Sequence, residues 1–401
     1  MIFDNVQTAP PDAILGLTEA FNADTNPAKV NLSVGVYQDA EGKTPILETV
    51  REAEKHLLQS ESSKSYRPIP GDAAYTRAVQ ELIFDDPSLA DSGRLVTAHT
   101  PGGTGALRVA GDLLSRIHGQ VTIHVSDPTW ANHDAVFRAA GLTTATYPYY
   151  NAAAFGLDFD AMIAALEKIP AGDVVVLHAC CHNPTGADPT PEQWEQIART
   201  VAERQLVPLV DFAYQGFAEG LEPDALGVRT LARHVPEMLV ASSFSKNFGL
   251  YNERTGALSI VAATPAAADA VFSQLKTVIR ANYSNPPAHG GSIVTTILGD
   301  DGLRRQWEQE VAAMRDRING IRQTFARALD ERGVNLSPKG NDFITRQNGM
   351  FSFSGLSRDQ VERLRREDSI YIVGSGRINV AGMNEQNVPV ICDAIRKVTG
   401  S

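Results

Sequence analysis

The feature that most limits the fold is an alternation of short apolar runs with longer amphipathic segments through the middle of the chain. The short runs are rich in β-branched residues and bounded by turn residues, which is typical of strands buried on both faces. Between them, Pro191–Arg204 predicts a helix, since Thr190 can cap it and Pro191 suits its first turn. Strands that alternate with helices predict an α/β fold with a mostly parallel sheet between helices. The predicted strands are Val121–Val125, Val174–Leu177, Leu206–Val210, Met238–Ala241 and Ala257–Val261.

The pattern changes in the last quarter of the chain. Apolar residues recur every three or four positions from Trp307 to Leu329, which predicts one long helix passing between two domains. Short strand-like runs (350–353, 370–373 and 378–380) and two more helical patterns follow, so we expect a second, smaller α+β domain. We place the large domain at 45–314 and the small domain at 1–44 and 315–401. An N-terminal arm is included in the small domain, because Pro10-Pro11 suits an extended segment.

Charge and composition exclude several classes of protein. The net charge of −11 and the lack of a Lys/Arg-rich run argue against nucleic-acid binding. No apolar stretch approaches the roughly 18 residues of a membrane span, and the N-terminus lacks the pattern of a signal peptide. Three cysteines, two of them adjacent, do not make a disulfide framework. We therefore expect a cytoplasmic protein that acts on small molecules.

Polar residues follow three of the predicted strands, at the edge where open α/β sheets bind ligands. They include Asn183, Asp211 and Lys246. A lysine among small hydroxyl residues can bond to an aldehyde cofactor, and Arg254 can bind a phosphate. The glycine-rich turn 102–105 precedes a helical pattern and could offer backbone N–H groups to the same phosphate. Taken singly, a loop lysine is usually solvated and such a turn is usually structural.

Four other residues have the side chains of metal ligands: His178, Cys180, Cys181 and His182. Successive side chains on a strand point to opposite faces, so ligands this close in sequence cannot readily surround one tetrahedral zinc. We therefore predict no metal site. The turn 102–105 also lacks the spacing of a Walker or Rossmann motif.

The segment around the lysine, SSFSKNFGLYNER, resembles the lysine signature of the class I (fold type I) pyridoxal 5′-phosphate aminotransferases, in their aspartate and aromatic branch. The resemblance covers nearly the whole chain and implies this family's fold, with a seven-stranded sheet, and its cofactor. Further matches follow in the family's order: NLSVGVY (31–37), KSY (64–66), TPGGTGALRVAG (100–111), SDPTWANH (126–133), HNPTG (182–186), DFAYQGF (211–217), RANYSNPPAHG (280–290) and GRINVAGM (376–383).

The resemblance also implies roles for individual residues. Lys246 would bond to the cofactor and later move the proton from the substrate Cα. Asp211 would pair with the pyridine nitrogen, and Trp130 would stack on the ring. Asn183 and Tyr214 would hydrogen-bond the phenolic oxygen. The residues implied at the phosphate are Gly103, Thr104, Ser243 and Arg254, with Tyr66 and Ser284 reaching the phosphate of a neighbouring subunit.

Two arginines would bind the substrate carboxylates. Arg377 matches the residue that binds the α-carboxylate through a bidentate pair, with Gly35 close beside it and with Trp130 and Asn183 nearby. Arg280 matches the residue that reaches the distal carboxylate across a dimer interface. The resemblance therefore implies a homodimer with shared active sites.

The choice of amino donor rests on smaller differences. Four residues match the aspartate branch: Val36, Thr44, Thr104 and Asn285. Polar residues support water around a second carboxylate, whereas an aromatic ring needs an apolar slot. The resemblance favours ping-pong transfer from L-aspartate to 2-oxoglutarate, giving oxaloacetate and L-glutamate. A tyrosine/phenylalanine aminotransferase and a non-catalytic binding protein remain as alternatives, and Ser33, Gln38 and the loop 67–70 depart from the aspartate pattern.

Overall fold

The computed structural model describes residues 1–8 and 15–400, and the chain divides into two compact units. The larger unit holds Thr44–Ile318 and Gln347–Gly349. The smaller unit holds Met1–Lys43, Asn319–Arg346 and Met350–Ser401. Pro10-Pro11, expected to be extended, lies outside the described residues. Within the described ranges, no helix is long and apolar enough to cross a bilayer.

Seven strands form the central sheet of the larger unit. Thr255–Val261 runs antiparallel to both of its neighbours, and the other four neighbouring pairs are parallel. The predicted seven-stranded, mostly parallel sheet is therefore confirmed. In spatial order the strands are Leu95–Pro101, Thr255–Val261, Met238–Ser243, Val207–Phe212, Val174–His178, Thr122–Asp127 and Thr143–Pro148.

Two of these strands, Leu95–Pro101 and Thr143–Pro148, were not among those predicted. Leu95–Pro101 is mostly buried although it contains threonine and histidine, so it lacks an uninterrupted apolar run. Thr143–Pro148 is an edge strand with several exposed residues, and its composition resembles a surface segment. Buried polar residues and one-sided burial both weaken the pattern by which a strand is recognised.

The helix predicted after Thr190 is present as Pro191–Glu203. Thr190 Oγ1 accepts a hydrogen bond from the backbone N–H of Gln193, and the Gln193 side-chain oxygen accepts one from the backbone N–H of Thr190. The other helices of the larger unit are Glu48–Ser60, Ala73–Phe84, Pro87–Asp91, Gly102–His118, His133–Ala139, Phe159–Leu166, Leu221–Asp224, Leu226–His234, Pro265–Asn282 and Ala288–Leu298. A small antiparallel pair joins Tyr150–Asn151 to Gly156–Leu157.

The predicted long helix is Asp301–Asp330, and its residues on both sides of the unit boundary at 318/319 bury the periodic apolar positions. In the smaller unit, Val30–Asn31 pairs in parallel with Ile370–Tyr371, and Phe351–Phe353 pairs antiparallel with Arg377–Asn379. The remaining elements of this unit are the helices Leu15–Ala23, Asp342–Arg346, Arg358–Asp368 and Val388–Thr399, and a 3-10 turn at Val380–Gly382.

Candidate active site

Asp211 lies near the carboxyl end of the strand Val207–Phe212, in the middle of the sheet. Its Oδ2 is 3.2 Å from Nε2 of the fully buried His133, and His133 Nδ1 is 2.8 Å from Thr129 Oγ1. Burial acts to raise the pKa of Asp211, but the hydrogen bond with His133 and the charges of His133 and Lys246 outweigh it. The pKa lies below its ordinary value, so Asp211 is ionised at neutral pH.

His178 lies directly beside Asp211 on the neighbouring strand. Burial lowers the pKa of His178 to about 3, so its ring is neutral. Among the described residues, neither ring nitrogen has a hydrogen-bond partner. The ligand-capable atoms of His133, His178 and Asp211 lie within 4.8 Å of one another.

The four residues with the side chains of metal ligands fall into two groups, and the ring of His182 lies against that of His178 at a centroid distance of 4.3 Å. His178 belongs to the group around Asp211, whereas Cys180 and Cys181 lie near Asp224. Both Asp224 oxygens accept backbone N–H bonds, from Gly216, Ala218, Glu219 and Gly220. Burial raises the pKa of the Cys180 thiol well above its usual range, which disfavours the thiolate that a metal would need.

Lys246 is half-buried in the turn that follows the strand Met238–Ser243. Its Nζ lies 4.7 Å from the centroid of the Tyr214 ring. The turn itself is firmly held: Trp307 Nε1 donates a hydrogen bond of 2.8 Å to the Asn247 carbonyl, and the Gly249 N–H donates to the Lys246 carbonyl. Lys246 therefore extends from a rigid backbone beside a buried tyrosine.

A cradle for an anion is formed where the helix Gly102–His118 begins. A Cβ added to Gly102 would lie 2.4 Å from Arg254 Nη2, and one added to Gly103 would lie 3.1 Å from Ser243 Cβ. Arg254 Nη1 also donates a hydrogen bond of 3.4 Å to Ser245 Oγ. Free N–H groups at a helix start, a guanidinium and two hydroxyl groups together suit a phosphate. Thr104 lies in the first turn of the same helix.

Asn183 is buried in a loop that is held by Asp188, a residue that was not predicted from the sequence. The carboxylate of the half-buried Asp188 accepts hydrogen bonds from the backbone N–H groups of Cys181 and His182, at 2.7 and 2.8 Å. Asn348 Nδ2 donates to it at 3.1 Å. Burial raises the pKa of Asp188 to about 6. Asp188 lies just beyond the HNPTG motif, but nothing in the motif indicates that its side chain folds back.

The remaining predicted residues of the larger unit lie nearer the surface. Trp130 is half-buried, with its ring edge-on to His133 at a centroid distance of 5.3 Å. Tyr66 is 92% exposed. Arg280 is exposed in the last turn of the helix Pro265–Asn282 and donates a hydrogen bond to Ser284 Oγ.

In the smaller unit, Gly35 and Arg377 both lie against Phe351, a residue that was not predicted from the sequence. The buried Arg377 guanidinium carbon lies 4.1 Å from the centroid of the Phe351 ring, and Nη2 donates a 2.7 Å hydrogen bond to the Ser33 carbonyl. A Cβ added to Gly35 would lie 2.8 Å from Phe351 Cζ. Asn379 Nδ2 donates to the carbonyls of Val34 and Val36, which fixes the loop that contains Gly35.

A profile of the family "Aminotransferase class I and II" matches residues 27–395. The chain is 54% identical to an aspartate aminotransferase of Salmonella typhi, over 98% of this chain and 99% of the relative. It is 46% identical to an aromatic-amino-acid aminotransferase of Pseudomonas aeruginosa, over 99% of this chain and 98% of the relative. A crystal structure of an aromatic-amino-acid aminotransferase from Burkholderia pseudomallei, covalently bound to pyridoxal phosphate, matches with a TM-score of 0.96 and 49% identity, over 99% of both chains.

Proposed function

The chain belongs to the class I and II aminotransferases, and we propose that it is an aspartate aminotransferase that uses pyridoxal 5′-phosphate. It would transfer the amino group of L-aspartate to 2-oxoglutarate and release oxaloacetate and L-glutamate. The observation that carries the cofactor assignment is the ionised Asp211, buried at the end of a central strand with a hydrogen bond to His133.

The larger unit fits this cofactor at three points. The helix start at Gly102 and Arg254 suits the phosphate, and an added methyl group there would meet Arg254 at 2.4 Å. Ionised Asp211 suits a protonated pyridine nitrogen, and the neutral ring of His178 beside it adds no competing charge. The amine of Lys246 suits the aldehyde. The remaining contacts we propose are Gly103, Thr104, Ser243 and Tyr66 at the phosphate, Asn183 and Tyr214 at the phenolic oxygen, and Trp130 on the ring.

When bound, the cofactor supplies an electron sink for the charge that develops at the substrate Cα. Asp211 would keep the pyridine nitrogen protonated, because a carboxylate with a lowered pKa remains ionised and forms an ion pair with the protonated ring. The amine of Lys246 would hold the aldehyde of the cofactor and, once released, would take up the proton lost from the substrate Cα. Tyr214, whose ring lies 4.7 Å from Lys246 Nζ, positions that amine. The same residues serve aspartate and 2-oxoglutarate in turn, as a ping-pong reaction requires.

Arg377 would bind the α-carboxylate with its planar guanidinium, and Arg280 the distal carboxylate. We propose that Arg280, Tyr66 and Ser284 act in the active site of a second copy of the chain, so that the enzyme is a homodimer. The exposure of the Tyr66 and Arg280 side chains supports this assignment. The buried thiols of Cys180, Cys181 and Cys392 support a cytoplasmic location.

The amino donor is the finer part of the proposal. The 54% identity to an aspartate enzyme, with Thr104 and Asn285 as polar lining, supports aspartate. The identity of 46–49% to aromatic enzymes makes tyrosine or phenylalanine the alternative donor. A binding protein without turnover is less well supported, because Lys246, Asp211 and Arg377 are all present.

One experiment tests donor and reaction together. The absorbance of the bound cofactor is followed while aspartate or, separately, phenylalanine is added to purified holoenzyme and to Lys246→Ala. We expect both donors to convert the wild-type cofactor, with a much higher catalytic efficiency for aspartate, and no turnover in the variant. Equal or better efficiency for phenylalanine would assign the aromatic branch, and near-normal turnover of Lys246→Ala would contradict the mechanism.

A further inference from the structure

Arg322 is a charged residue in the core of the smaller unit to which the proposed mechanism gives no role. It belongs to the long helix, and only 1% of its surface is exposed. Its Nη1 donates a 3.1 Å hydrogen bond to the Ile344 carbonyl, and its Nη2 donates one to the Phe351 carbonyl. A guanidinium is costly to bury, and its planar fork can hold two backbone carbonyls in one fixed arrangement.

Phe351 connects Arg322 to Arg377. The carbonyl of Phe351 accepts from Arg322, while its ring faces the Arg377 guanidinium at 4.1 Å. Both groups belong to one residue, so a shift of its backbone also moves its ring. The ring also has little room to move toward Gly35, because a Cβ added to Gly35 would lie only 2.8 Å from Phe351 Cζ.

The strand that carries Phe351 has only three residues. Phe351–Phe353 pairs with Arg377–Asn379 through three residue pairs, and Phe351 lies opposite Asn379. A pair of such short strands is only marginally stable alone. The hydrogen bond from the long helix therefore supplies a rigid reference for the strand.

We propose that Arg322 is a positioning residue for binding of the substrate α-carboxylate. By fixing Phe351, it holds the plane of the Arg377 guanidinium in the orientation needed for two parallel hydrogen bonds to that carboxylate. The proposal rests on the proposed role of Arg377. A lysine at position 322 keeps the charge but cannot span the two carbonyls in the same plane.

The expected effect is on substrate binding more than on the chemical step. Arg322→Lys raises KM for aspartate and for 2-oxoglutarate by a similar factor, on the order of tenfold, with kcat changed much less. L-alanine, which has only the α-carboxylate, loses catalytic efficiency by the same factor as aspartate. The affinity of holoenzyme for succinate, measured by calorimetry, falls in parallel.

The test compares Arg322→Lys, Phe351→Leu and the double variant with wild-type holoenzyme. Because both changes act through the same ring, the double variant has a smaller effect than the product of the two. Arg332→Lys is the control: Arg332 holds the Ala328 carbonyl and the Asp393 carboxylate in the same unit, and its replacement leaves KM unchanged. Thermal unfolding of each variant measures the purely structural contribution.

A variant that unfolds at lower temperature but keeps KM for aspartate and alanine within twofold of wild type would overturn the proposal. If Arg322→Lys does not fold, Phe351→Leu decides alone: a raised KM supports the proposal and an unchanged KM refutes it. Arg377→Lys distinguishes a failure of the role proposed for Arg377 from a failure of the positioning role proposed for Arg322. An unchanged KM in that variant means that the role of Arg377 is wrong, whereas a raised KM there with an unchanged KM in Arg322→Lys refutes only the positioning role.

Discussion

Asp211 in the larger unit and Arg377 in the smaller unit are both buried charged residues on strands, but they are held in different ways. The neighbours of Asp211 include the imidazole rings of His133 and His178. Arg377 donates to the Ser33 carbonyl and packs on the Phe351 ring. The ionisation of the Asp211 carboxylate therefore depends on electrostatics, whereas the orientation of the Arg377 guanidinium depends on packing. Changes to charge should affect the first most, and changes to shape should affect the second.

Asp211→Asn tests the electrostatic side and has the largest expected effect. Asparagine keeps the size of the side chain but removes the charge that we propose keeps the pyridine nitrogen protonated, so kcat falls by roughly 10²–10⁴-fold. Steady-state kinetics measure this fall in kcat. Asp173→Asn is a matched control, since Asp173 also pairs with a histidine, His124 at 2.9 Å, at the amino end of the sheet strands. Equal effects in the two variants would remove the special role of Asp211.

Arg377→Lys tests the packing side at constant charge. Lysine offers a point charge in place of a planar fork, and losing one charge-assisted hydrogen bond costs about 1.5–3 kcal/mol. KM for aspartate therefore rises by roughly 10–100-fold, which initial-rate measurements over a wide range of aspartate concentration would determine. A KM close to wild type would mean that charge alone is sufficient and that the contrast with Asp211 does not hold.

His133→Asn sharpens the contrast through pH. His133 lowers the pKa of Asp211 against the effect of burial, so its removal raises that pKa. Asp211 is then protonated at a higher pH, and the acid limb of the kcat profile moves to higher pH. Arg377→Lys provides the comparison, because it should leave that limb in place. An acid limb that does not move in His133→Asn would show that His133 does not control the charge.

Gly35→Ala has the smallest expected effect. The new methyl group would lie 2.8 Å from Phe351 Cζ, so the ring must shift, at a cost of about 1–3 kcal/mol in the free energy of unfolding. KM for aspartate rises several-fold as Arg377 follows the ring. Gly320→Ala is the control: nothing lies within 4 Å of its added Cβ, and alanine stabilises a helix interior by roughly 0.5–1 kcal/mol. Thermal unfolding should therefore show that Gly35→Ala is destabilised and Gly320→Ala is stabilised. Kinetics should show a raised KM for aspartate in Gly35→Ala only.

The sequence was informative where local pattern and structure coincide. Strands such as Val174–His178 are fully buried and almost entirely apolar. The helix after Thr190 is capped by residues that are adjacent in the sequence. The resemblance indicated Lys246, Asp211 and Arg377 through their motifs. These features require only neighbours in the chain to be recognised.

The supporting residues could not be predicted in this way. His133 reaches Asp211 across 78 positions of sequence, and Arg322 reaches Phe351 across 29. A histidine or arginine in an amphipathic helix normally indicates a solvated face, so its burial appears only when the chain is folded. Partners of this kind are brought together by tertiary packing, which the periodicity and composition of the sequence do not indicate.

The pairing of Val30–Asn31 with Ile370–Tyr371 has a consequence for biosynthesis. The two strands leave the ribosome more than 300 residues apart. At about 5–20 residues per second, the earlier strand waits roughly 15–70 seconds for its partner. The larger unit, whose segments are nearly contiguous, can fold during that interval. The nascent N-terminal segment, with the exposed Met1, Ile2, Phe3 and Val6 at its end, therefore spends that interval without its partner strand.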